Sequence, residues 1–98
     1  MDNIKQFEQD MLNIYREAQK VGYRATIFLH MITTKGAMET ARYLINADVV
    51  SSGYTKLWEL GRLDLSVEAL VVKTWQSLFT ADEIEKCKNR LAEYRYKY

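Results

Sequence analysis

The sequence predicts an all-α fold, organised as a compact single domain of five to six short helices. Apolar residues recur at three- and four-residue steps along most of the chain, which is the period of a helix with one buried face. Three of the four glycines directly follow such a segment, where glycine commonly ends a helix. Proline is absent, and 98 residues, 48% of them hydrophobic, are enough for one modest core.

The first two predicted helices cover residues 3–20 and 24–34. Asp2 or Asn3 is the expected N-terminal cap of the first helix. Its buried stripe contains five apolar residues: Ile4, Phe7, Met11, Ile14 and Ala18. The second helix is apolar on most sides, and such a helix is typically the central one of its domain. Its polar strip is narrow and consists of Thr26, His30 and Thr33.

Two shorter helices are predicted over residues 37–46 and 54–60, with a loop over 47–53 between them. Glu39 and Arg42 lie three residues apart on the first of these helices and are expected to pair. Large aromatic residues at helical spacing are more typical of a core than of an interface. Tyr54, Trp58 and Trp75 are therefore interpreted mainly as core residues, although such side chains also suit a protein interface.

Residues 62–72 fit two structures. Five apolar residues alternate with polar ones, as in a strand: Leu63, Leu65, Val67, Ala69 and Val71. A strand needs a partner, however, and the short stretch Val49-Val50 is the one other candidate. We favour a short helix that Ser66 caps, with Glu68 in its first turn, where the helix dipole favours a negative charge.

The last helix has the clearest start signal in the chain. Residues 80–83, Thr-Ala-Asp-Glu, form a capping box, with Phe79 and Ile84 at the flanking apolar positions. Ile84, Cys87 and Leu91 then line its buried face. All residues from 1 to 98 are assigned to one helical domain whose last few residues are expected to fray.

The reactive residues are too few for most kinds of catalytic or metal site. One cysteine cannot form a disulfide within the chain, and one cysteine with one histidine is too few for a zinc site of that type. His30 and Cys87 are the one conceivable base and nucleophile, and we interpret them as a surface histidine and a buried thiol. We therefore expect no enzymatic activity, no cofactor and no metal.

The chain has a net charge of +1, but its last 13 residues are basic and rich in tyrosine. Tyr94, Tyr96 and Tyr98 alternate there with basic residues, a pattern that suits stacking on single-stranded nucleic acid. The five basic residues of this stretch are Lys86, Lys88, Arg90, Arg95 and Lys97. A solvated helix end with cations at its negative pole explains the same pattern. Nucleic-acid binding is therefore the alternative hypothesis for function.

The start of the chain lacks the basic and apolar regions of a secretory signal, and no apolar run approaches the length of a membrane span. A single cysteine fits a reducing compartment. We expect a cytoplasmic protein without a membrane partner.

Sequence patterns over nearly the whole chain resemble a small family of bacterial proteins. The patterns are G-Y-x-A-T-x-F-L-x-M-I at residues 22–32, T-A-x-x-L-I at 40–45 and L-F-T-x-x-E-I at 78–84. The longest is S-S-G-Y-T-x-L-W-E-x-G-R-L-D-L-S-V-E-A-L-V at 51–71. Members of this family are small helical cytoplasmic proteins, and some resemble the immunity proteins of contact-dependent growth inhibition systems.

The resemblance implies that the chain binds and neutralises a cognate toxin domain, often a nuclease. It supplies no catalytic motif. Inhibitors of basic nucleases are often acidic, since complementary charge speeds association, whereas this chain is nearly neutral. Arg62 and Asp64 are interpreted first as a pair that fixes the turn after Gly61, and otherwise as groups presented to the partner. The candidate partner-binding residues are Asp48, Tyr54, Glu59, Arg62, Asp64 and Glu68.

Overall fold

A computed structural model describes residues 3–97 and confirms the all-α prediction. Asp2, one of the two expected caps of the first helix, lies outside these residues, as do Met1 and Tyr98. No strand occurs in the described part of the chain. Its α-helices are Asn3–Lys20 (α1), Thr26–Lys35 (α2), Ala37–Asn46 (α3), Ser52–Glu59 (α4), Val67–Leu70 (α5) and Ala81–Glu93 (α6).

The apolar stripe of α1 forms one side of the core, as predicted, except for its first member. Ile4 is 56% exposed, whereas four stripe residues are buried: Phe7, Met11, Ile14 and Ala18. The ring of Phe7 meets Trp75 and Phe79 edge-on, with both centroid distances at 5.7 Å. The Trp75 indole N–H donates a hydrogen bond of 2.8 Å to Asp10, which satisfies the polar atom of a buried ring.

The central helix is α3, so the prediction that the second helix is central was wrong. α3 contacts α1, α2, α5 and α6, and its small residue Ala41 is fully buried where neighbouring helices approach. On α2, only Ile32 is buried, and Ile27 is 77% exposed. α2 is a peripheral helix that borders a cavity. A helix in that position can be apolar on all sides, so this composition does not distinguish it from a central helix.

Residues 62–72 are helical, so the favoured alternative is confirmed. A 3₁₀ turn at Leu63–Leu65 leads to α5, and the Ser66 hydroxyl caps α5 by accepting the Ala69 N–H at 3.1 Å. The helix continues as a π-helical stretch over Val71–Trp75 and a 3₁₀ turn over Gln76–Leu78. Two of the three alternating polar residues, Ser66 and Glu68, are buried along with the apolar ones, so the alternation does not mark two faces of a strand.

The helix ends follow their sequence signals. Gly61 has φ +71° and follows α4, while the Arg62 N–H donates back to the Leu57 carbonyl at 2.8 Å. This Schellman turn needs a left-handed residue, which glycine adopts without strain. At the start of α6, Thr80 and Glu83 exchange side-chain and backbone hydrogen bonds in the predicted capping box.

Arg42 pairs with α6 in place of the expected pair with Glu39. Its guanidinium Nε lies 3.6 Å from the Glu83 carboxylate. Asn46 donates a hydrogen bond of 2.9 Å to the same carboxylate. Glu83 thus joins the end of α3 to the start of α6 while it closes the capping box.

Among the described helices, none combines the length and apolar character that crossing a membrane requires.

Candidate functional site

The structure separates the predicted partner-binding residues into exposed and buried groups. Asp48 and Glu59 are exposed, and the Arg62 and Asp64 side chains are 36% and 37% exposed. Tyr54 is 2% exposed and Glu68 is 4% exposed, so neither side chain is accessible to a partner in this conformation. The exposed Glu59 and the half-buried Arg62 and Asp64 lie at and just after the end of α4.

Trp58 lies at the same end of α4, and its interpretation as a core residue was wrong. The side chain is 49% exposed. Its ring nevertheless has a fixed support, because Tyr94 meets it edge-on with centroids 5.4 Å apart. Tyr94 in turn meets the buried Tyr54 edge-on at 5.0 Å. Trp75, by contrast, is buried as predicted.

We call the residues Trp58, Glu59, Leu60, Arg62 and Asp64 the Trp58 surface. Two of them, Trp58 and Leu60, are exposed large apolar residues. The remaining three carry charges of both signs. Exposed large apolar side chains close in sequence to charged ones are residue types that protein interfaces combine.

Arg62 and Asp64 fix the turn after α4, as the first of the two predicted roles requires. The guanidinium donates two hydrogen bonds to the carboxylate, at 3.0 and 3.1 Å, in a fork geometry. This pairing lowers the pKa of Asp64 and raises that of Arg62. Presentation of the pair to a partner stays a prediction.

Asp48 lies apart from the Trp58 surface in sequence, in the loop after α3. It borders a shallow depression that Lys86 and Asn89 of α6 also line. The structure therefore places the predicted acidic candidates in different surroundings: Asp48 beside α6, Glu59 and Asp64 at the end of α4, and Glu68 in the interior.

Glu68 and Arg90 form a buried ion pair that the sequence did not reveal. Arg90 Nη1 lies 3.1 Å from Glu68 Oε2, and the two side chains are 12% and 5% exposed. Arg90 also donates to the carbonyl oxygens of Leu44, in the last turn of α3, and of Ala47, directly after that helix. Burial raises the pKa of Glu68 more than Arg90 lowers it. The sequence contains one signal of this buried pair, because Glu68 is an isolated charged residue within an otherwise apolar stretch.

The basic C-terminal stretch is largely engaged within the fold. Arg90 is buried in its ion pair, and Lys86 contacts Asp82 and Asn46. Tyr94 supports Trp58, and Tyr96 accepts a hydrogen bond from Lys73. The residues that remain open to a nucleic acid are Lys88, Arg95 and Lys97, of which Lys88 is half-buried.

His30 and Cys87 lie in different environments. His30 is on the exposed side of α2, and its carbonyl oxygen accepts bonds from the Thr33 and Thr34 hydroxyls at 2.9 and 2.8 Å. Cys87 is fully buried on α6, and burial raises the pKa of its thiol to about 12. Within residues 3–97, no cluster of three or more histidine, cysteine or acidic residues has the arrangement to hold a metal ion.

No protein-family model, curated protein or solved structure matches this chain. The surfaces and side-chain clusters described above are thus the structural basis for a functional proposal.

Proposed function

We propose that this chain is an immunity protein that binds a cognate toxin domain in the cytoplasm and blocks it by forming a non-covalent complex. The proposed toxin is a nuclease, such as an RNase of a contact-dependent inhibition system. The family resemblance of the sequence motivates this identity of the partner. The exposed and supported Trp58 ring is the observation that carries the binding role.

A supported tryptophan suits a binding surface for an energetic reason. Interface residues that contribute most to affinity are enriched in Trp, Tyr and Arg. A side chain that is already ordered loses little conformational entropy on binding, which typically costs about 0.5–1.5 kcal/mol for each mobile side chain. Tyr94 holds Trp58 edge-on while half of the indole stays open to solvent. The free protein thus presents an anchor close to its bound form.

The charges around Trp58 favour a protein partner over a nucleic acid. Glu59 is exposed, and Asp64 contributes a second carboxylate close by. Since Arg62 neutralises Asp64, the carboxylate of this surface without an ion pair is that of Glu59, which repels phosphate groups but can pair with a cation of a protein partner. Glu59, Arg62 and Asp64 together carry a net charge of −1, and the whole chain is nearly neutral, so association with the toxin need not depend on a strongly acidic inhibitor.

Inhibition by complex formation requires a rigid surface and no chemical step. Cys87 is buried as a neutral thiol, which removes the one candidate nucleophile that the sequence offered. A binding protein is therefore favoured over an enzyme.

The proposal is tested with the C-terminal domain of the protein encoded by the adjacent upstream gene. Binding to the wild-type chain is measured by isothermal titration calorimetry, and toxin activity is measured in the same mixtures. Trp58→Ala is expected to weaken binding about 30-fold, the effect of losing an anchor of about 2 kcal/mol. Tyr43→Ala is the matched control, because Tyr43 is an aromatic residue of α3 with 60% exposure outside the Trp58 surface.

Equal affinity of the wild type and Trp58→Ala would show that another face binds the toxin. Binding no tighter than the millimolar range, with toxin activity unchanged, would overturn the immunity function itself. The expected result is that the toxin binds tightly to the wild type and to the Tyr43→Ala control but weakly to Trp58→Ala.

Nucleic-acid binding is the alternative, and Lys88, Arg95 and Lys97 are its remaining candidates. Their simultaneous replacement by Gln is expected to abolish a gel shift at low salt if these residues bind phosphate. Absence of any shift of the intact protein with single- or double-stranded probes would exclude this alternative. Charge removal is preferable to truncation after Leu91, which would also delete the Tyr94 support of Trp58.

A further inference from the structure

A cavity of about 300 Å³ lies between the end of α1, α2, the start of α4 and the segment before α5. An engineered apolar cavity of about 150 Å³ accommodates benzene. The present cavity therefore has the size for an organic molecule of about two rings, at the lower end of the range for ligand sites. No residue of the Trp58 surface lines this cavity, so the two are separate features of the molecule.

The walls of this cavity are mainly apolar, and three helices contribute to them. The lining includes Ile14 of α1, Ile27, Phe28 and Met31 of α2, and Leu57 of α4. Ile27 is 77% exposed, so it lies where the cavity opens to solvent. Large apolar residues around a concave opening are typical of a site that takes up the apolar part of a ligand.

Two charged side chains, Arg24 and Glu68, belong to the cavity wall, and they differ in their partners. Glu68 is 4% exposed and pairs with Arg90 at 3.1 Å, so its charge is compensated inside the protein. Arg24 is exposed, and within residues 3–97 its guanidinium has neither an ion pair nor a hydrogen bond. Five N–H donors and one positive charge are therefore free at the opening of the cavity.

The start of α2 agrees in sign with the free charge of Arg24. α2 begins without a side-chain cap, because the residue at the cap position is Ala25. Thr26, Ile27 and Phe28, the first residues of this helix, line the cavity. The N–H groups of a first turn have no partner within their helix and favour negative charge. They therefore add to the attraction that the guanidinium exerts on an anion.

We propose that this cavity binds a small monocarboxylate, with its apolar body of about two rings inside the cavity and its carboxylate paired with Arg24 at the opening. A guanidinium can donate two parallel hydrogen bonds to a carboxylate. The exposure of Arg24 leaves the carboxylate in contact with water, so its charge need not be buried. Glu68 does not oppose this ligand, because Arg90 neutralises it in the interior. This site goes beyond toxin binding.

Three probes of similar size distinguish the parts of this proposal. 2-Naphthoate carries the carboxylate, 2-naphthamide has the same shape without the charge, and 2-naphthylmethylammonium carries the opposite charge. Each is titrated into ¹⁵N-labelled protein at neutral pH and low salt, and amide chemical shifts are recorded. Naphthoate is expected to shift residues of the cavity wall, such as Ala25, Gly53 and Val67, in a saturable manner. Because the ion pair is exposed, naphthoate should bind about 5-fold more tightly than naphthamide, and added salt should reduce this preference.

Arg24→Gln removes the charge from an exposed side chain, so the fold should stay intact. In this variant naphthoate and naphthamide are expected to bind equally, within about 2-fold. Arg16→Gln is the matched control, because Arg16 is an exposed arginine of α1 that does not line the cavity, and this variant should keep the preference for naphthoate. Met31→Trp fills the cavity from α2 and should abolish binding of both probes while the circular dichroism spectrum stays helical.

Shifts that do not saturate, or that lie outside the cavity wall for every probe, would show that the cavity is not a ligand site. Equal binding of naphthoate and naphthamide to the wild type, or an unchanged preference in Arg24→Gln, would overturn the role of Arg24. Tighter binding of the ammonium probe than of naphthoate would overturn the anionic class of ligand. None of these results depends on the toxin, so the cavity and the Trp58 surface can fail independently.

Discussion

The guanidinium of Arg90 lies 3.1 Å from the carboxylate of Glu68 in the interior of the protein, and it also binds the carbonyl oxygens of Leu44 and Ala47. One arginine of α6 thus neutralises a buried charge on α5 and orders the chain where α3 ends. Arg90 belongs to the basic C-terminal stretch of the sequence, yet its charge stabilises the fold through an internal ion pair.

We expect Arg90→Met to destabilise the protein by about 3–5 kcal/mol, because it leaves Glu68 buried without a partner. The double variant Arg90→Met/Glu68→Leu should recover at least half of that loss, since an apolar pair needs no neutralisation. Its remaining deficit would come from the unpaired carbonyl oxygens. Urea unfolding curves of the wild type, the single variant and the double variant measure these differences. A double variant no more stable than Arg90→Met would contradict the role assigned to the pair.

Glu83 predicts a dependence of stability on pH. Burial raises the pKa of Glu83, but hydrogen bonds from the Thr80 N–H and Asn46, with the charge of Arg42, outweigh burial and lower it below the ordinary value of 4.5. The folded state therefore holds this proton more weakly than the unfolded chain does. The stabilisation is complete above pH 4.5 and is lost as pH falls through the lower folded-state pKa.

We expect Glu83→Gln to cost about 1 kcal/mol at pH 7, because a neutral acceptor replaces a charged one. The difference from the wild type should shrink progressively between pH 7 and pH 2 as the carboxylate becomes protonated. Urea midpoints at the two pH values test this, with the exposed Glu85→Gln on the same helix as the control. A cost for Glu83→Gln that is independent of pH would be inconsistent with the charge of Glu83 as the cause.

Arg95 is the non-glycine residue with a positive φ, +60°, in the described part of the chain. It occupies the position after α6 at which Gly61 ends α4, and the Tyr96 N–H donates back to the Leu91 carbonyl at 2.8 Å. The left-handed conformation costs an L-residue about 1–2 kcal/mol. Arg95→Gly is therefore expected to raise the free energy of unfolding by about 1 kcal/mol, measured by urea titration. Arg95→Ala retains the strained backbone and should stay within about 0.5 kcal/mol of the wild type.

The sequence predicted those parts of the fold that depend on local signals. The apolar stripe of α1, the Ser66 cap and the Thr80–Glu83 capping box each involve residues within a turn or two of one another. The same locality explains the correct choice of helix over strand for residues 62–72. A cap and a glycine act on the neighbouring backbone, so their effect can be deduced before the tertiary structure is known.

Features that depend on packing between distant segments were not predicted. Whether Trp58 is core or surface depends on which distant segments cover it, and Tyr94, 36 positions further along the chain, covers it only in part. α2 lies at the periphery of the fold beside a cavity, and the periodicity of the sequence does not reveal such a cavity. Glu68 is a candidate for partner binding by its chemistry, but tertiary packing buries it, whereas the burial of Tyr54 agrees with its interpretation as a core residue. The binding role of the exposed candidates stays a prediction.

Cys87 provides the last prediction, which concerns reactivity. Thiolate is the reactive form of cysteine, and this thiol is fully buried with its pKa raised to about 12. The native protein should therefore react with Ellman's reagent at pH 8 only as fast as it unfolds, and addition of urea should expose one thiol for each chain. A Ser52→Cys variant, which places a thiol at an exposed position of α4, should label rapidly at that site and serves as the positive control. Rapid and complete labelling of native wild-type protein would show that Cys87 is accessible, and would restore it as a candidate nucleophile.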